Sequence, residues 1–245
     1  LFLAAIASAF WYLRAEETER EQEAVKRDVE YAQQRLRLRL IERQEQVMRL
    51  ARDISNKDVK QDQFMLRAEA LVQQYPEYHA LTWLDGRRKV MASHSVSTIM
   101  RSARLEPGNT LPLGETETHY SLARDLMQPI YGQLDPKEHT DLNGALLQLL
   151  TPLSDEKGKF NGVLLAEYSM EGLLRYGVPT EILAKYAISL SNSEGDLLAG
   201  QTIPQRTRFL SMLPMVNTDD NEYEVPVSPV GNGLILKAQA WRTSQ

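Results

Sequence analysis

The sequence of 245 residues contains no cysteine. This absence excludes disulfide scaffolds, cysteine-ligated zinc or iron–sulfur sites, and thiol nucleophiles. Positive charge is not in excess either, because 28 lysines and arginines stand against 33 aspartates and glutamates, which gives a net charge of −5. The chain lacks the overall cationic field that nucleic acids attract, so we expect no nucleic-acid partner.

Long apolar runs are also lacking, apart from residues 1–13, which carry no charge. As a helix this run is about 20 Å long, short of the ~30 Å hydrocarbon core of a bilayer. Trp11, Tyr12 and Arg14 nevertheless form an edge typical of a membrane helix at the lipid–water interface. The chain begins with leucine rather than methionine, so we expect it to be a fragment of a longer protein. We interpret residues 1–13 as the end of a truncated transmembrane helix. A buried core helix and the apolar part of a signal peptide are the alternatives.

Glycine and proline are missing from residues 14–54, which are rich in good helix formers. Apolar or small side chains recur there about every 3.6 residues, with Arg43 in one skipped place. These positions are Val25, Val29, Ala32, Leu36, Leu40, Val47, Leu50 and Ile54. The pattern predicts a long amphipathic helix with one narrow apolar stripe. Such a stripe suits packing against a domain and, equally, the helix–helix seam of a parallel homodimer.

A turn at residues 55–58 and a second, shorter helix follow, and Pro76 ends that helix. Its predicted buried face contains Phe64, Ala68, Leu71 and Val72.

The remainder is predicted to be rich in antiparallel strands. Two hairpins are expected at residues 79–93 and 145–168, separated by loops, a short helix at 120–127 and an irregular segment at 129–139. From Tyr186 the pattern repeats in reduced form, with hairpins at 187–199 and 227–241. Two copies of this pattern predict two tandem antiparallel sheets.

This order of elements resembles the double Cache (tandem PAS-like) extracytoplasmic sensor domains of bacterial signalling receptors. The most specific part is the segment from Leu150-Thr151-Pro152-Leu153 to Tyr168-Ser169, which is similar to the segment that closes the family's membrane-distal unit. The resemblance implies an α+β fold in which a long N-terminal helix precedes two tandem PAS-like antiparallel-sheet domains. The expected divisions are a membrane helix end at 1–13, a stalk helix at 14–58, a distal domain at 59–183 and a smaller proximal domain at 184–245.

Motifs for catalysis are absent from the sequence. No glycine-rich phosphate loop occurs, and none of the four histidines precedes the acidic residue expected of a kinase phosphoacceptor. Glu115, Glu117 and His119 have donor types suited to a metal, but their spacing matches no established ligand motif. We expect no catalysis, metal or cofactor in this part of the protein, and a kinase would have its catalytic part beyond Gln245.

The resemblance implies a small-molecule site between the distal sheet and the loops that cross it. Glu167 matches the family's acid that holds a ligand amine or hydroxyl, although a structural salt bridge is an equal alternative. Loop arginines suit carboxylates because the guanidinium donates two parallel hydrogen bonds. The candidate ligand-binding residues are Trp83, His94, Arg101, Tyr120, Arg124, Gln148 and Glu167.

The arginine and aromatic cluster of the family's amino-acid-binding members is not found between residues 100 and 133. This departure argues against an amino-acid ligand and leaves a small carboxylate, another metabolite or no ligand. The expected protein is the periplasmic sensor portion of an inner-membrane, two-component sensor histidine kinase, anchored by its N-terminal helix and dimeric. A chemoreceptor, a diguanylate cyclase and a membrane-anchored interaction domain without a pocket are the alternatives.

Overall fold

A 54-residue helix, α1 (Phe2–Ser55), runs alongside two antiparallel sheets. The computed structural model describes residues 2–96, 103–112, 114–137, 142–203, 222–227 and 231–241. The predicted α+β class, with a long N-terminal helix before two tandem antiparallel sheets, is confirmed.

The narrow stripe of α1 packs against the chain's own sheets. Every predicted stripe position from Val25 to Ile54 is buried, and so is Arg43 at 4% exposure. The packing of this helix against a domain is therefore confirmed, whereas the prediction that the same stripe forms the seam of a dimer is wrong, because the chain's own sheets cover it. Residues 6–15 are all exposed. No helix among the described residues is both long enough and apolar enough to cross a bilayer.

The second helix, α2 (Gln61–Gln74), buries Phe64, Ala68 and Val72, while Leu71 is only partly buried. It leads into a five-stranded antiparallel sheet with the strand order β2-β1-β5-β4-β3. The strands are β1 (Tyr78–Asp85), β2 (Val90–Ser95), β3 (Ile130–Leu134), β4 (Leu146–Ser154) and β5 (Phe160–Ser169). A 3₁₀ turn (Ala103–Leu105) and helix α3 (Glu115–Leu126) lie between β2 and β3 in the chain.

Two short helices, α4 (Met170–Gly177) and α5 (Thr180–Lys185), connect this sheet to the second one. The second sheet contains β6 (Tyr186–Ser191), β7 (Leu197–Gly200), β8 (Glu222–Pro226) and β9 (Ile235–Ala240). Its order, β7-β6-β9-β8, repeats the order β2-β1-β5-β4 of the first sheet. The predicted internal repeat is thus confirmed in the strand pairing, with β3 as an addition to the first copy.

Several local predictions are wrong. The segment predicted as irregular at 129–139 contains β3, an edge strand where Pro129 favours extended backbone and Gly132 hides the apolar pattern. Helix α3 begins at Glu115 rather than Tyr120, because its first turn is polar and offers no apolar period. The last hairpin begins with β8 rather than with residues 227–230, of which 228–230 lie outside the described residues.

The five-stranded sheet is covered on both faces, as its near-continuous apolar strands require. One face packs against α1 and α2 through side chains such as Leu81, Leu149 and Leu164. The opposite face packs against Tyr120 of α3 through Leu84, Leu150, Val163 and Leu165. Because side chains alternate along a strand, this division decides which residues of β4 and β5 face the crossing loops.

Candidate functional site

Glu167 lies on β5, on the face that carries Leu165, and its side chain is completely buried. Its cross-strand neighbours are Ala80 on β1 and Gln148 on β4. Tyr168, one residue further on, points to the opposite face, where its ring lies 4.9 Å from that of Tyr78. Side chains therefore alternate between the two faces of the sheet along this strand, as expected for β structure.

The carboxylate of Glu167 is held by an arginine and an amide. Arg104, in the 3₁₀ turn, donates from Nη2 to Glu167 Oε2 over 2.7 Å, and Gln148 donates from Nε2 to the same oxygen over 2.9 Å. Thr116, in the first turn of α3, donates from Oγ1 to Gln148 Oε1 over 3.2 Å. Two strands, the crossing loop and α3 thus meet at one buried polar cluster of Arg104, Thr116, Gln148 and Glu167.

Two buried atoms of this cluster, Glu167 Oε1 and Arg104 Nε, have no hydrogen-bond partner among the residues that the structure describes. Buried polar atoms are almost always paired in folded proteins, because an unpaired one loses its hydration without compensation. The cluster therefore offers one acceptor and one donor, each on a charged side chain, to a third molecule.

The charges of Glu167 and Arg104 affect the pKa of His79, which lies on β1. Burial lowers the pKa of His79, while the negative charge of Glu167 raises it and the positive charge of Arg104 lowers it. Because burial dominates, the imidazole is neutral at pH 7. The site therefore combines one ion pair, one neutral imidazole and two neutral hydrogen-bonding side chains.

Two further sequence candidates lie on the cluster's face of the sheet. Gln148 is part of the cluster itself, and its need for a partner inside an apolar run is met by Glu167 and Thr116. Tyr120 is 2% exposed, stands edge-on to Phe160, and donates its hydroxyl to the Asp85 carbonyl over 2.8 Å. Burial raises the pKa of Tyr120 to about 12, so its hydroxyl stays protonated.

The other candidates are not brought to the cluster. Trp83 packs against Phe64 on the α2 side of the sheet, with ring centroids 5.9 Å apart, and His94 lies opposite Leu81 on that same face. Arg124 is half-exposed and pairs with its neighbour Asp125 over 2.8 Å. Arg101 lies outside the described residues.

Sequence reasoning missed Arg104, Thr116 and His79. Arg104 is a loop arginine, as is Arg101 three residues earlier, so the sequence criterion fits both equally. Only the 3₁₀ turn at 103–105 distinguishes them, because it contains Arg104. Thr116 gave no signal, since it precedes the predicted start of the helix. His79 was one of four histidines, and only the pairing of β1 with β5 places it near Glu167.

Two of the candidate metal donors, Glu117 and His119, have other contacts. Glu117 pairs with Arg88 over 3.3 Å, and His119 lies against Gly132 of β3. Within the part of the chain that the structure describes, no group of three or more potential ligands could hold a metal ion. His139 lies outside that part.

Comparison with known proteins gives matches in structure only. No protein-family model matches the sequence, and no curated protein matches it. Among solved structures, a domain assigned to the sensory box/GGDEF family from Vibrio parahaemolyticus is 14% identical, with a TM-score of 0.62, covering 91% of this chain and 96% of that one.

Two other solved structures have the same arrangement. The ligand-binding domain of the Campylobacter jejuni chemoreceptor Tlp3, in complex with 4-methylisoleucine, is 13% identical with a TM-score of 0.55 and 90% coverage of both chains. The extracellular domain of rpHK1S-Z16, assigned as a histidine kinase, is 17% identical with a TM-score of 0.54, covering 94% of this chain and 96% of that one. The chain therefore has the fold of extracellular ligand-binding sensor domains, as the resemblance implied.

Proposed function

We propose that this chain is a double Cache sensor domain of a bacterial membrane receptor, and that it binds a small molecule at the cluster of Arg104, Thr116, Gln148 and Glu167. The observation that carries the proposal is the pair of buried, unpartnered atoms on oppositely charged side chains, Glu167 Oε1 and Arg104 Nε. The same fold in ligand-binding sensor domains supports it.

The free atoms define the chemistry of the ligand. Glu167 Oε1 accepts a hydrogen bond and suits an ammonium or hydroxyl group, whereas Arg104 Nε donates one and suits a carboxylate. A small carboxylate that carries an amino or hydroxyl group supplies both. The Tlp3 domain was crystallised with L-valine and L-norvaline, molecules of this class. The missing family motif, however, makes a hydroxy acid as good a candidate as an amino acid.

Glu77 connects this site to α1. Its carboxylate is fully buried and accepts hydrogen bonds from Arg39 Nε (2.8 Å) and Arg43 Nε (2.6 Å), both on α1. Its carbonyl accepts the amide N–H of Ser169, two residues beyond Glu167, over 2.8 Å. Binding that shifts β5 would therefore reach α1 through Glu77. Such transmission requires that the ligand bind two arrangements with different affinity.

The N-terminal part of α1 supports attachment to a membrane. Phe10, Trp11, Tyr12 and Leu13 are 63–75% exposed, so nothing within the described chain covers them. Their burial in lipid would make the five-stranded sheet the membrane-distal unit and place both sheets in the periplasm. A sensor histidine kinase is the proposed receptor type, and it requires a phosphoacceptor histidine downstream of Gln245. A chemoreceptor or cyclase domain there would favour the alternatives.

A ligand screen tests the binding proposal. Thermal shift is measured with small amino acids, hydroxy acids and plain carboxylates, and hits are confirmed by calorimetry. Glu167→Gln removes the charge while keeping the shape, so we expect a hit to lose at least tenfold in affinity, about 1.4 kcal/mol. Glu156→Gln, at an exposed glutamate outside the cluster, is the matched control and leaves affinity unchanged. A confirmed ligand that binds Glu167→Gln as tightly as the parent would place the site elsewhere.

Parallel dimerisation through α1 is proposed for the same protein. Tyr31 and Leu38, seven residues apart on α1, are exposed on the side away from its sheets, at 47% and 54%. If these side chains form the seam, Leu38→Glu converts the dimer to a monomer in sedimentation experiments. Leu66→Glu on α2, where leucine is 68% exposed, makes the same change away from the seam and leaves the dimer intact. A parent chain that is monomeric at high concentration contradicts the proposal.

A further inference from the structure

A cleft of about 380 Å³ opens at the end of the five-stranded sheet that lies beside the C-terminus of α1. Residues of the turn between α1 and α2 form one wall, and the ends of β1, β4 and β5 form the other. The volume falls in the range of small-molecule pockets, roughly 300–1,000 Å³. At about 30 Å³ for each water-sized group, the cleft has room for roughly a dozen non-hydrogen atoms.

The cleft lies on the opposite face of the sheet from the polar cluster. Trp83 and Leu153, which line the cleft, belong to the core that packs against α1 and α2. Glu167 instead lies on the face of Leu165, which packs against α3. A molecule bound in the cleft is therefore separated from the polar cluster by the sheet itself.

Apolar residues make up one part of the lining, namely Ile54, Val59, Trp83 and Leu153. Three of them are at most 6% exposed, but Trp83 is only partly buried. Its indole ring stands edge-on to Phe64, with ring centroids 5.9 Å apart, and this contact holds the ring in place. An apolar molecule that covers the rest of the ring gains about 25 cal/mol for each Å² that it removes from water.

Hydrogen-bond donors make up most of the polar part of the lining. Lys57 is 72% exposed and pairs with Glu156, whereas Lys60 forms no ion pair with a described residue. Ser55 Oγ accepts the N–H of Ser154 over 3.1 Å, so its hydroxyl proton remains to donate. No acidic residue is among the described residues that line the cleft. Two ammonium groups and a hydroxyl beside an apolar surface favour an anion that has an apolar body.

We propose that this cleft is a second binding site, for a small monocarboxylate with an aliphatic or aromatic body. The apolar body lies against the ring of Trp83, and the carboxylate accepts hydrogen bonds from the Lys60 ammonium and the Ser55 hydroxyl. Because Ser55 is the last residue of α1 and Trp83 lies on β1, the occupant holds the end of the helix against the sheet. The site does not depend on Glu167 or on the ligand proposed for that cluster.

Calorimetry on the 245-residue chain tests the proposal, with octanoate and 3-phenylpropionate as the probes. Octanamide keeps the apolar body without the charge, octylamine reverses the charge, and butanoate keeps the carboxylate on a shorter body. Lys60→Gln and Lys60→Glu remove and reverse the charge at an exposed position. Lys137→Gln, at a lysine that is 71% exposed and lies outside the cleft, is the matched control. Circular dichroism and thermal melting verify the fold of each variant.

The fluorescence of Trp83 reports where the probe binds. The other two tryptophans, Trp11 and Trp241, are 75% and 47% exposed, so both can be replaced by phenylalanine without opening the core. Trp83 is then the single emitter. Octanoate should shift its emission to shorter wavelength, because the apolar body displaces water from the indole ring.

We expect octanoate to bind at least tenfold more tightly than butanoate, since each added methylene buries more apolar surface, and more tightly than octanamide or octylamine. Its affinity falls about threefold or more in Lys60→Gln and further in Lys60→Glu, the size expected of an exposed ion pair. Affinity is unchanged in Lys137→Gln and in Glu167→Gln, which separates this site from the polar cluster. The proposal is overturned if neither carboxylate binds, if octanamide binds as tightly as octanoate, if a folded Lys60→Glu protein binds like the parent, or if the emission of Trp83 does not change.

Discussion

Glu77 is the position where a single change tests how α1 is fastened to the five-stranded sheet. The residue lies in the turn before β1, its carboxylate is fully buried, and it accepts three hydrogen bonds from Arg39 and Arg43. The guanidinium of Arg43 also stacks 3.6 Å above the ring of Tyr75. Glu77→Gln keeps the size of the side chain but removes the charge that both arginines need.

The loss of folding stability expected for Glu77→Gln follows from the burial of Arg43, whose side chain is 4% exposed. Removing one partner of a buried ion pair costs about 3–5 kcal/mol, because the other charge stays desolvated without compensation. Arg39 is 27% exposed and regains water, so we take the lower end, about 3 kcal/mol. For a chain of this size that corresponds to a fall in Tm of roughly 6–12 °C.

The pH dependence of folding stability tests the contribution of the Glu77 carboxylate independently. Burial alone would raise the pKa of Glu77, but the hydrogen bonds from Arg39 and Arg43 outweigh it and hold the pKa below the ordinary value of 4.5. The carboxylate therefore stabilises the fold fully above pH 4.5, and this stabilisation is lost as the pH falls through the lower folded value. The difference in stability between parent and Glu77→Gln must shrink in that acid range.

Urea unfolding followed by circular dichroism at 222 nm measures the effect, with Glu156→Gln as an exposed control that should leave the midpoint unchanged. Combining Glu77→Leu with Arg43→Met removes both buried charges and should recover part of the loss. A decrease below about 1 kcal/mol for Glu77→Gln, or a difference that persists in acid, would refute the reasoning.

Three further changes test the site and its supports. Tyr120→Phe removes the hydrogen bond to the Asp85 carbonyl and should cost about 1 kcal/mol in urea unfolding, and no loss would mean that the bond contributes nothing. Gly162→Ala should abolish or severely reduce folding, since the added carbon would clash with the Leu84 carbonyl oxygen, whereas Gly144→Ala, in open space, should fold normally. Because burial lowers the pKa of His79, stability should fall as the pH drops below 6.5, and less so in a His79→Gln variant that otherwise melts like the parent.

The sequence predicted the elements whose periodicity is complete. The α1 stripe, including Arg43 in its skipped place, and the hairpin that carries Glu167 both have uninterrupted patterns. The prediction from sequence failed at β3, where Gly132 interrupts the apolar pattern. It also failed at the start of α3, because the first turn of that helix is polar and has no apolar periodicity. Glu167 could be anticipated from the family resemblance, and Gln148 because a polar side chain inside an apolar run needs a partner when it is buried. Arg104 could not, since no rule of local sequence orients a loop arginine toward a strand three elements away.

The position of Glu167 in β5 has a mechanical consequence. Glu167, Tyr168 and Ser169 are consecutive, and they contact respectively the polar cluster, the core on the α1 side, and the Glu77 carbonyl. Ser169 also caps α4 by accepting the Gly172 N–H, and α4 leads to the second sheet. β5 is hydrogen-bonded to β1 and β4 on its two sides, and its pairing with β1 is irregular opposite Glu167 and Tyr168. Three successive residues of β5 thus contact the polar cluster, the turn that is fastened to α1, and the helix that leads to the second sheet, which is the basis for the proposed transmission of binding through β5.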